Sequence, residues 1–336
     1  ILSSGLVKVC LLLLIKNMVI YLSRWEHTYT VKSPIRKKLF RCLSYDEVFA
    51  AKSLPCATYI FTDFDRLSQW ELELASCVYK NLQNGGARVI NHPAQVACRY
   101  ELLRRLHKAG VNSFNAYRPS LGEWPTRYPV FVRRDSFHDG MLSGLLDTRE
   151  ALVAALESVE SDGVPFSNTI VIEFAAEPVE PGLYRKQQCY RVGDRFFVDT
   201  TVHERNWIVK YGESGVAPET RYAAELAEIN TVPYAEIVKR VFDIAKIEYG
   251  RVDIGWYEGN PQFYEINTNP TVSFGTKHSS PSRVRSREQF VINYTEAIRA
   301  LGGLLQCPTG KIDMTGEFLS RQRRKARWRS WSRPTL

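Results

Sequence analysis

Two hydrophobic periods alternate along the chain. Residues 58–62 form a short apolar run that reads as a strand, with the polar loop Asp63-Phe64-Asp65 after it. From 68 to 82 the apolar positions take helical spacing at Trp70, Leu74, Cys77 and Val78, and Asn84, Gly85 and Gly86 stop the pattern. Residues 87–90 return to a strand, and this β-α-β order predicts a parallel α/β layer. Pro93 is placed to open a second helix, whose stripe runs through Val96, Tyr100, Leu103 and Leu106 to Gly110. Further on, the pattern predicts a strand at 129–132, a polar loop at 133–140 and a helix at 146–159. Strands at 169–172, 190–198 and 207–209 come next, then a helix at 234–249 built on Ile237, Val238, Val241, Ile244 and Ala245. Two strands at 251–256 and 262–267 flank the turn 258–261, and a final helix covers 286–301.

Composition changes this picture only at the ends. With 336 residues, 44% of them hydrophobic and 24% charged, the chain has the balance of a globular protein of two to three domains or lobes. Its seven cysteines are odd in number and never at C-x-x-C spacing, which argues against a disulfide framework or a zinc knuckle and for a reducing, cytoplasmic setting. Seven of the net +9 charges fall after Phe318, where Trp328 and Trp331 lie among arginines, so the remaining body is near neutral. Residues 311–336 therefore read as a basic, disordered tail, and nucleic acid or an anionic surface is a partner for residues 318–336 alone. Near the start, the apolar stretch 9–22 is broken by Lys16 and Asn17. The seven apolar residues before Lys16 fall far short of the ~20 that a spanning helix needs. A buried strand pair or short helix is expected there, and no transmembrane segment.

The strand pair at 251–267 carries the candidate chemistry. Residues two apart on a strand share a face, so Arg251, Asp253 and Gly255 look one way, and Phe263, Glu265 and Asn267 share a face on the partner. A hairpin centred on Gly259 sets Asp253 directly across from Glu265. Two like charges so opposed are destabilising. Either both face solvent, or a divalent cation lies between them, with hard oxygen donors suited to Mg²⁺.

The strings Gly250-Arg-Val-Asp-Ile-Gly255 and Glu265-Ile-Asn-Thr-Asn-Pro270 resemble the terminal motif of the ATP-grasp superfamily, notably its D-alanine–D-alanine ligase and ribosomal-protein glutamate ligase branches. The resemblance extends over residues 60–304. It implies an α/β (α+β) fold in which two subdomains, 96–170 and 171–310, clasp ATP behind a small parallel α/β lobe at 1–95. It also implies that Asp253, Glu265 and Asn267 hold Mg²⁺ (or Mn²⁺) against the phosphates and that Arg251 stabilises charge in the transition state. Arg99 and Arg133 stand where the family has phosphate-binding lysines, and arginine keeps the charge while adding a bidentate fork. Glu173, Phe174 and Ala175 fall at the adenine hinge, and Lys210 is a further nucleotide contact. Lys186 stands where relatives place an acid for the ribose, a role that Glu177 or Glu180 would then take. The loop 133–140, with His138 in it, is the candidate lid; neither His138 nor His92 or His203 is required. The implied activity is ATP- and Mg-dependent ligation of a small-molecule or peptide carboxylate to an amine (or thiol) through an acyl phosphate. The alternatives are a small-molecule kinase on the same fold and a non-catalytic ATP-binding protein.

Overall fold

The computed structural model describes residues 18–136, 140–303, 310–316 and 319–324. Residues 9–17 of the apolar stretch 9–22, the lid residue His138 and most of the basic tail lie outside the described residues.

Five strands come first: β1 (Val19–Ser23), β2 (Arg41–Ser44), β3 (Ser53–Pro55), β4 (Thr58–Phe61) and β5 (Arg88–Ile90). Four of them form a parallel sheet in the order β2-β1-β4-β5. β1 is buried at every position, as a strand covered on both faces must be. The helix Gln69–Asn84 starts where expected, because Ser68 and Glu71 close a reciprocal capping box.

Three more strands, β6 (Ala116–Tyr117), β7 (Val130–Arg134) and β8 (Thr169–Glu173), make an antiparallel sheet ordered β6-β8-β7, backed by the helix Arg149–Ser161. The third sheet is also antiparallel. It contains β9 (Pro178–Glu180), β10 (Leu183–Val192), β11 (Arg195–Glu204), β12 (Tyr249–Tyr257) and β13 (Asn260–Asn267), with β10-β12-β13 running inward from β11. The helices Glu219–Thr231, Ala235–Ala245 and Pro281–Leu301 pack on it. This architecture, a parallel α/β lobe followed by two antiparallel α+β units, is the one that the resemblance to the ATP-grasp superfamily implies.

Several local expectations are corrected. Pro93 does not open a helix: residues 93–95 form a turn, residues 96–98 are irregular, and the helix runs Arg99–Lys108. The strand expected at 190–198 is two strands, β10 and β11, folded back at Gly193 with its positive φ of 62°. Residues 207–209 are not a strand, and the helix Glu219–Thr231 went unread. The tail begins later than 311. Strand β14 (Lys311–Asp313) pairs with β3, Ile312, Met314 and Leu319 complete the core of the parallel lobe, and Arg323 donates to the carbonyls of Phe49 and Ala51. Cys56 is disulfide-bonded, against the expectation of none, whereas Cys42, Cys77, Cys98 and Cys189 are free. No helix among the described residues is long and apolar enough to cross a membrane.

Three asparagines dock the units together around β12 and β13. Buried Asn91, in a left-handed conformation, donates to the carbonyls of Phe61 and Tyr249 and accepts from the N–H groups of Glu248 and Tyr249. Asn112 exchanges two hydrogen bonds with the backbone of Phe263. Asn269 accepts from the hydroxyls of Tyr21 and Thr30. Satisfied buried amides of this kind fix one arrangement, since a slip leaves each of them unpaired.

Candidate active site

The β12–β13 hairpin turns through Glu258 and Gly259, whose positive φ angles of 51° and 73° fit a two-residue hairpin loop. Near the turn the pairing is Trp256↔Pro261 and Ile254↔Phe263; one step further it is Asp253↔Glu265. A β-bulge at Tyr264 accounts for the change. Continued without it, the register would oppose Asp253 to Tyr264. The bulge also corrects the expected face of Phe263, which turns into the core with Ile254 while Tyr264, Glu265 and Asn267 all face a cleft. Gly255 is required here. The Tyr264 ring lies across it, and a Cβ would come within 2.2 Å of the tyrosine oxygen.

The cleft lies between the two antiparallel sheets. Arg251, Asp253, Glu265 and Asn267 line one wall together with Lys186 and Gln188 of β10, where Gln188 pairs in register with Asp253. Arg133, at the end of β7, faces them. Glu173, Phe174 and Ala175 line the far end, and the Tyr264 hydroxyl donates to the Ala175 carbonyl at 2.8 Å. Phe131 and Phe174 pack against Trp207 with centroids 5.1 and 5.4 Å away, giving an aromatic wall suited to a planar base. Lys210 also lines the cleft; its Nζ is 3.2 Å from where a Cβ on Gly140 would stand.

Electrostatics follow from this packing. Glu265 pairs with Arg99 at 2.7 Å and Arg133 at 3.9 Å; Asp253 pairs with Lys186 at 3.0 Å and Arg251 at 3.6 Å. Burial, with Arg99 alongside, pulls the Arg133 guanidinium down to about 10 against the opposing pull of Glu265. Burial also works against the charge on Arg251, but Asp253, Tyr190, Asp199 and Glu265 outweigh it and hold its pKa above the ordinary value.

Ten of the eleven residues singled out from the sequence line this cleft; Arg99 does not. It reaches Glu265 from the side and donates to the carbonyls of Arg134 and Asp135, so it braces the start of the 135–140 loop against the acid. Glu173 lines the cleft, yet its carboxylate is occupied by the Asn115 N–H and the Tyr117 hydroxyl. Of the two acids offered for the ribose, Glu177 lines the cleft, whereas Glu180 pairs outside it with Arg221. Sequence reading missed the contributions of Trp207, Tyr264 and Trp256, over which Arg185 stacks at 3.7 Å. Trp207 lies outside any strand and Tyr264 at a bulge, so neither carries a periodic signal.

The cleft's oxygen donors fit a hard divalent ion: two carboxylates and an amide on one wall, with Asp253 Oδ1 lacking a hydrogen bond. Among the described residues no set of three or more His, Cys, Asp or Glu side chains converges as a preformed metal site. Such an ion would be completed by ligands from elsewhere, as phosphate oxygens do.

No protein-family model and no curated protein matches the chain. Solved structures are similar to it. D-alanine–D-alanine ligase from Bacillus anthracis is 16% identical, with 85% of this chain and 97% of that one covered, at a TM-score of 0.49. The RimK domain ATP-grasp protein from Sphaerobacter thermophilus is 14% identical over 84% and 98%, at 0.46. The ATP-grasp ligase PsnB, solved with a phosphomimetic variant of its minimal precursor, Mg and ADP, is 11% identical over 84% and 97%, at 0.47. Similarity at this level carries no argument about chemistry, and the functional reading rests on the cleft itself.

Proposed function

We propose that the cleft binds Mg·ATP and that the chain is an ATP-grasp ligase joining a carboxylate to an amine or thiol. The observation that carries this reading is the convergence, on one cleft, of Asp253, Glu265 and Asn267 with Arg133, Lys186, Lys210 and Arg251, opposite an aromatic end at Phe131, Phe174 and Trp207. Oxygen ligands lie beside cations placed to receive phosphate, and a flat apolar slot is placed to receive a base.

In this reading residues 96–170 and 171–310 are the two subdomains that close on the nucleotide. The backbone of Phe174 and Ala175 takes the adenine edge, Glu177 takes the ribose, and Arg133 and Lys210 take the phosphates. A Mg²⁺ at the acidic wall would screen phosphate charge. Arg251 neutralises charge that develops as an oxygen of the substrate carboxylate attacks the γ-phosphorus and ADP leaves. The amine nitrogen then attacks the acyl carbon, phosphate leaves and the nitrogen loses a proton. No protein nucleophile is needed.

The test is a screen of amino acids and small carboxylates for ADP release, with mass spectrometry of the products. A joined product with equimolar ADP supports ligation. A phosphorylated, unjoined product would instead establish a kinase. ATP turnover that is the same in Glu265→Ala as in the wild type would remove the cleft from the reaction.

A further inference from the structure

The two acids of the wall are treated alike by the sequence motif but not by the fold. Asp253 is 7% exposed at its side chain and lies 3.0 Å from Lys186 Nζ, whose side chain is 15% exposed. This contact is built by the sheet. Gln188 of β10 is in register with Asp253, and Lys186 lies two residues away on the same cleft-facing side. Arg251 Nε approaches the other oxygen, Asp253 Oδ1, at 3.6 Å without hydrogen-bonding to it. Glu265, itself paired with Arg99 at 2.7 Å, has 22% side-chain exposure and stands further into the cleft, with Asn267 beside it.

We infer that Lys186 is a built-in cation that takes the place of a metal ion at Asp253. The divalent ion of the nucleotide complex is then held by Glu265 and Asn267 alone. This rests on the proposed binding of Mg-nucleotide in the cleft and refines how that site is made. Arg99, Arg133, Lys186 and Arg251 lie 2.7–3.9 Å from the two carboxylates, with Asp135 acting on Arg133 and Asp199 on Arg251. A free dication is repelled from such a wall, whereas one that arrives with phosphate oxygens is not. The ammonium at Asp253 supplies without ligand exchange the charge that a second ion would bring. Asp253 becomes a positioning residue for Lys186 and Arg251 and not a metal ligand.

Binding of Mn²⁺ in the presence of ADP, followed by electron paramagnetic resonance and calorimetry on the full chain, tests this. Wild-type protein should bind one Mn²⁺ per bound ADP and none detectable without ADP. Asp253→Asn should leave Mn²⁺ affinity within about threefold, whereas Glu265→Gln should weaken it by about ten- to a hundredfold. Lys186→Met should uncover Asp253 and add a second Mn²⁺ or tighten the first by about tenfold; Asp253→Asn in that background should cancel the gain. Lys186→Arg, which keeps the charge, should behave as wild type. If Lys186→Met fails to fold, the Asp253→Asn and Glu265→Gln pair still decides. Equal weakening by both would overturn the inference while leaving nucleotide binding intact. No Mn²⁺–ADP binding to the wild type would overturn it together with the proposed function.

Discussion

The large antiparallel sheet carries two clusters of acids and arginines that differ in what covers them. In the first, Asp253 and Glu265 with Arg251, Lys186 and Arg133 look into the cleft, and Arg99 reaches Glu265 from the side. In the second, Asp199 pairs with Arg287, and Glu225 pairs with Arg283 at 3.2 Å while also accepting the Thr201 N–H. The helices Glu219–Thr231 and Pro281–Leu301 contribute to this second cluster and seal it. Residue types are nearly the same in both. In the open cluster each acid is approached by two cations, and those lining the cleft can accept an anion. The sealed one is matched one to one, and burial pushes the Glu225 carboxyl up to about 7 although Arg283 pulls it down. Charge by itself does not mark a site. Charge facing a cleft does.

The largest expected effect separates the clusters by function. Glu265→Ala should lower ATP turnover about 10²–10³-fold, the loss typical of removing one electrostatic partner of a transition state, and should leave the unfolding temperature little changed. A steady-state assay beside a thermal melt checks both.

The sealed cluster should show the reverse. Arg283→Met strands a buried carboxylate and the Thr201 carbonyl that the guanidinium serves. A loss on the order of 3–5 kcal/mol in denaturant unfolding is expected, with nucleotide affinity of the folded fraction unaltered. A drop in affinity equal to that of Glu265→Ala would dissolve the distinction between the two clusters.

Titration offers a third comparison. His203, buried beside the sealed cluster, is lowered to about 4 by burial and by the nearby Arg221, Arg283 and Arg185. Its contribution to stability is complete above its unfolded value near 6.5 and is lost as the pH falls toward 4, because the unfolded chain then binds the extra proton. Glu225 acts in the opposite sense. Its folded pKa is raised, so its contribution is present below about 4.5 and is lost as the pH rises toward 7. The two slopes oppose each other in the wild type. His203→Gln should expose the decline with rising pH, and Glu225→Gln the decline with falling pH, each on the order of 3 kcal/mol across the window. Equilibrium unfolding from pH 4 to 7.5 measures this (~ half-unit steps suffice to resolve slopes of this size). Parallel curves for all three proteins would refute the assignment.

The smallest effect probes how the cleft is shaped. Gly255→Ala must push the Tyr264 ring away and so break its hydrogen bond to the Ala175 carbonyl at the hinge. ATP affinity should fall about tenfold, and Tyr264→Phe, which loses only the hydrogen bond, should cost about fivefold. Isothermal titration with a non-hydrolysable nucleotide distinguishes the two.

Much of this was legible from the sequence. Periodicity located the helix after Ser68 and the strands read at 58–62, 129–132, 169–172, 251–256 and 262–267, because each is a buried run bounded by strong turn or capping residues, whereas the helix read at 234–249 ends at Ala245 and Tyr249 already opens β12. Alternation within the last two strands put Arg251, Asp253, Glu265 and Asn267 on one wall, since side-chain direction on a strand is a local property. The opposition of Asp253 to Glu265 was anticipated from a hairpin centred on Gly259, but the loop is centred between Glu258 and Gly259, and only the bulge at Tyr264 restores that pairing. A bulge is fixed by how the ring of Tyr264 fits over Gly255 and reaches Ala175, contacts that no local pattern encodes. The pairing of Lys186 with Asp253 likewise joins positions far apart in sequence through the register of β10 on β12. The same holds for the return of Lys311–Asp313 to β3, where apolar residues in a basic segment found a core that the segment itself does not contain. Sequence by itself determined which residue types share a face and what chemistry they can do. Tertiary structure decided which of those charges meet, which are sealed and which face the cleft, because partner and solvent exposure depend on elements brought together from across the chain.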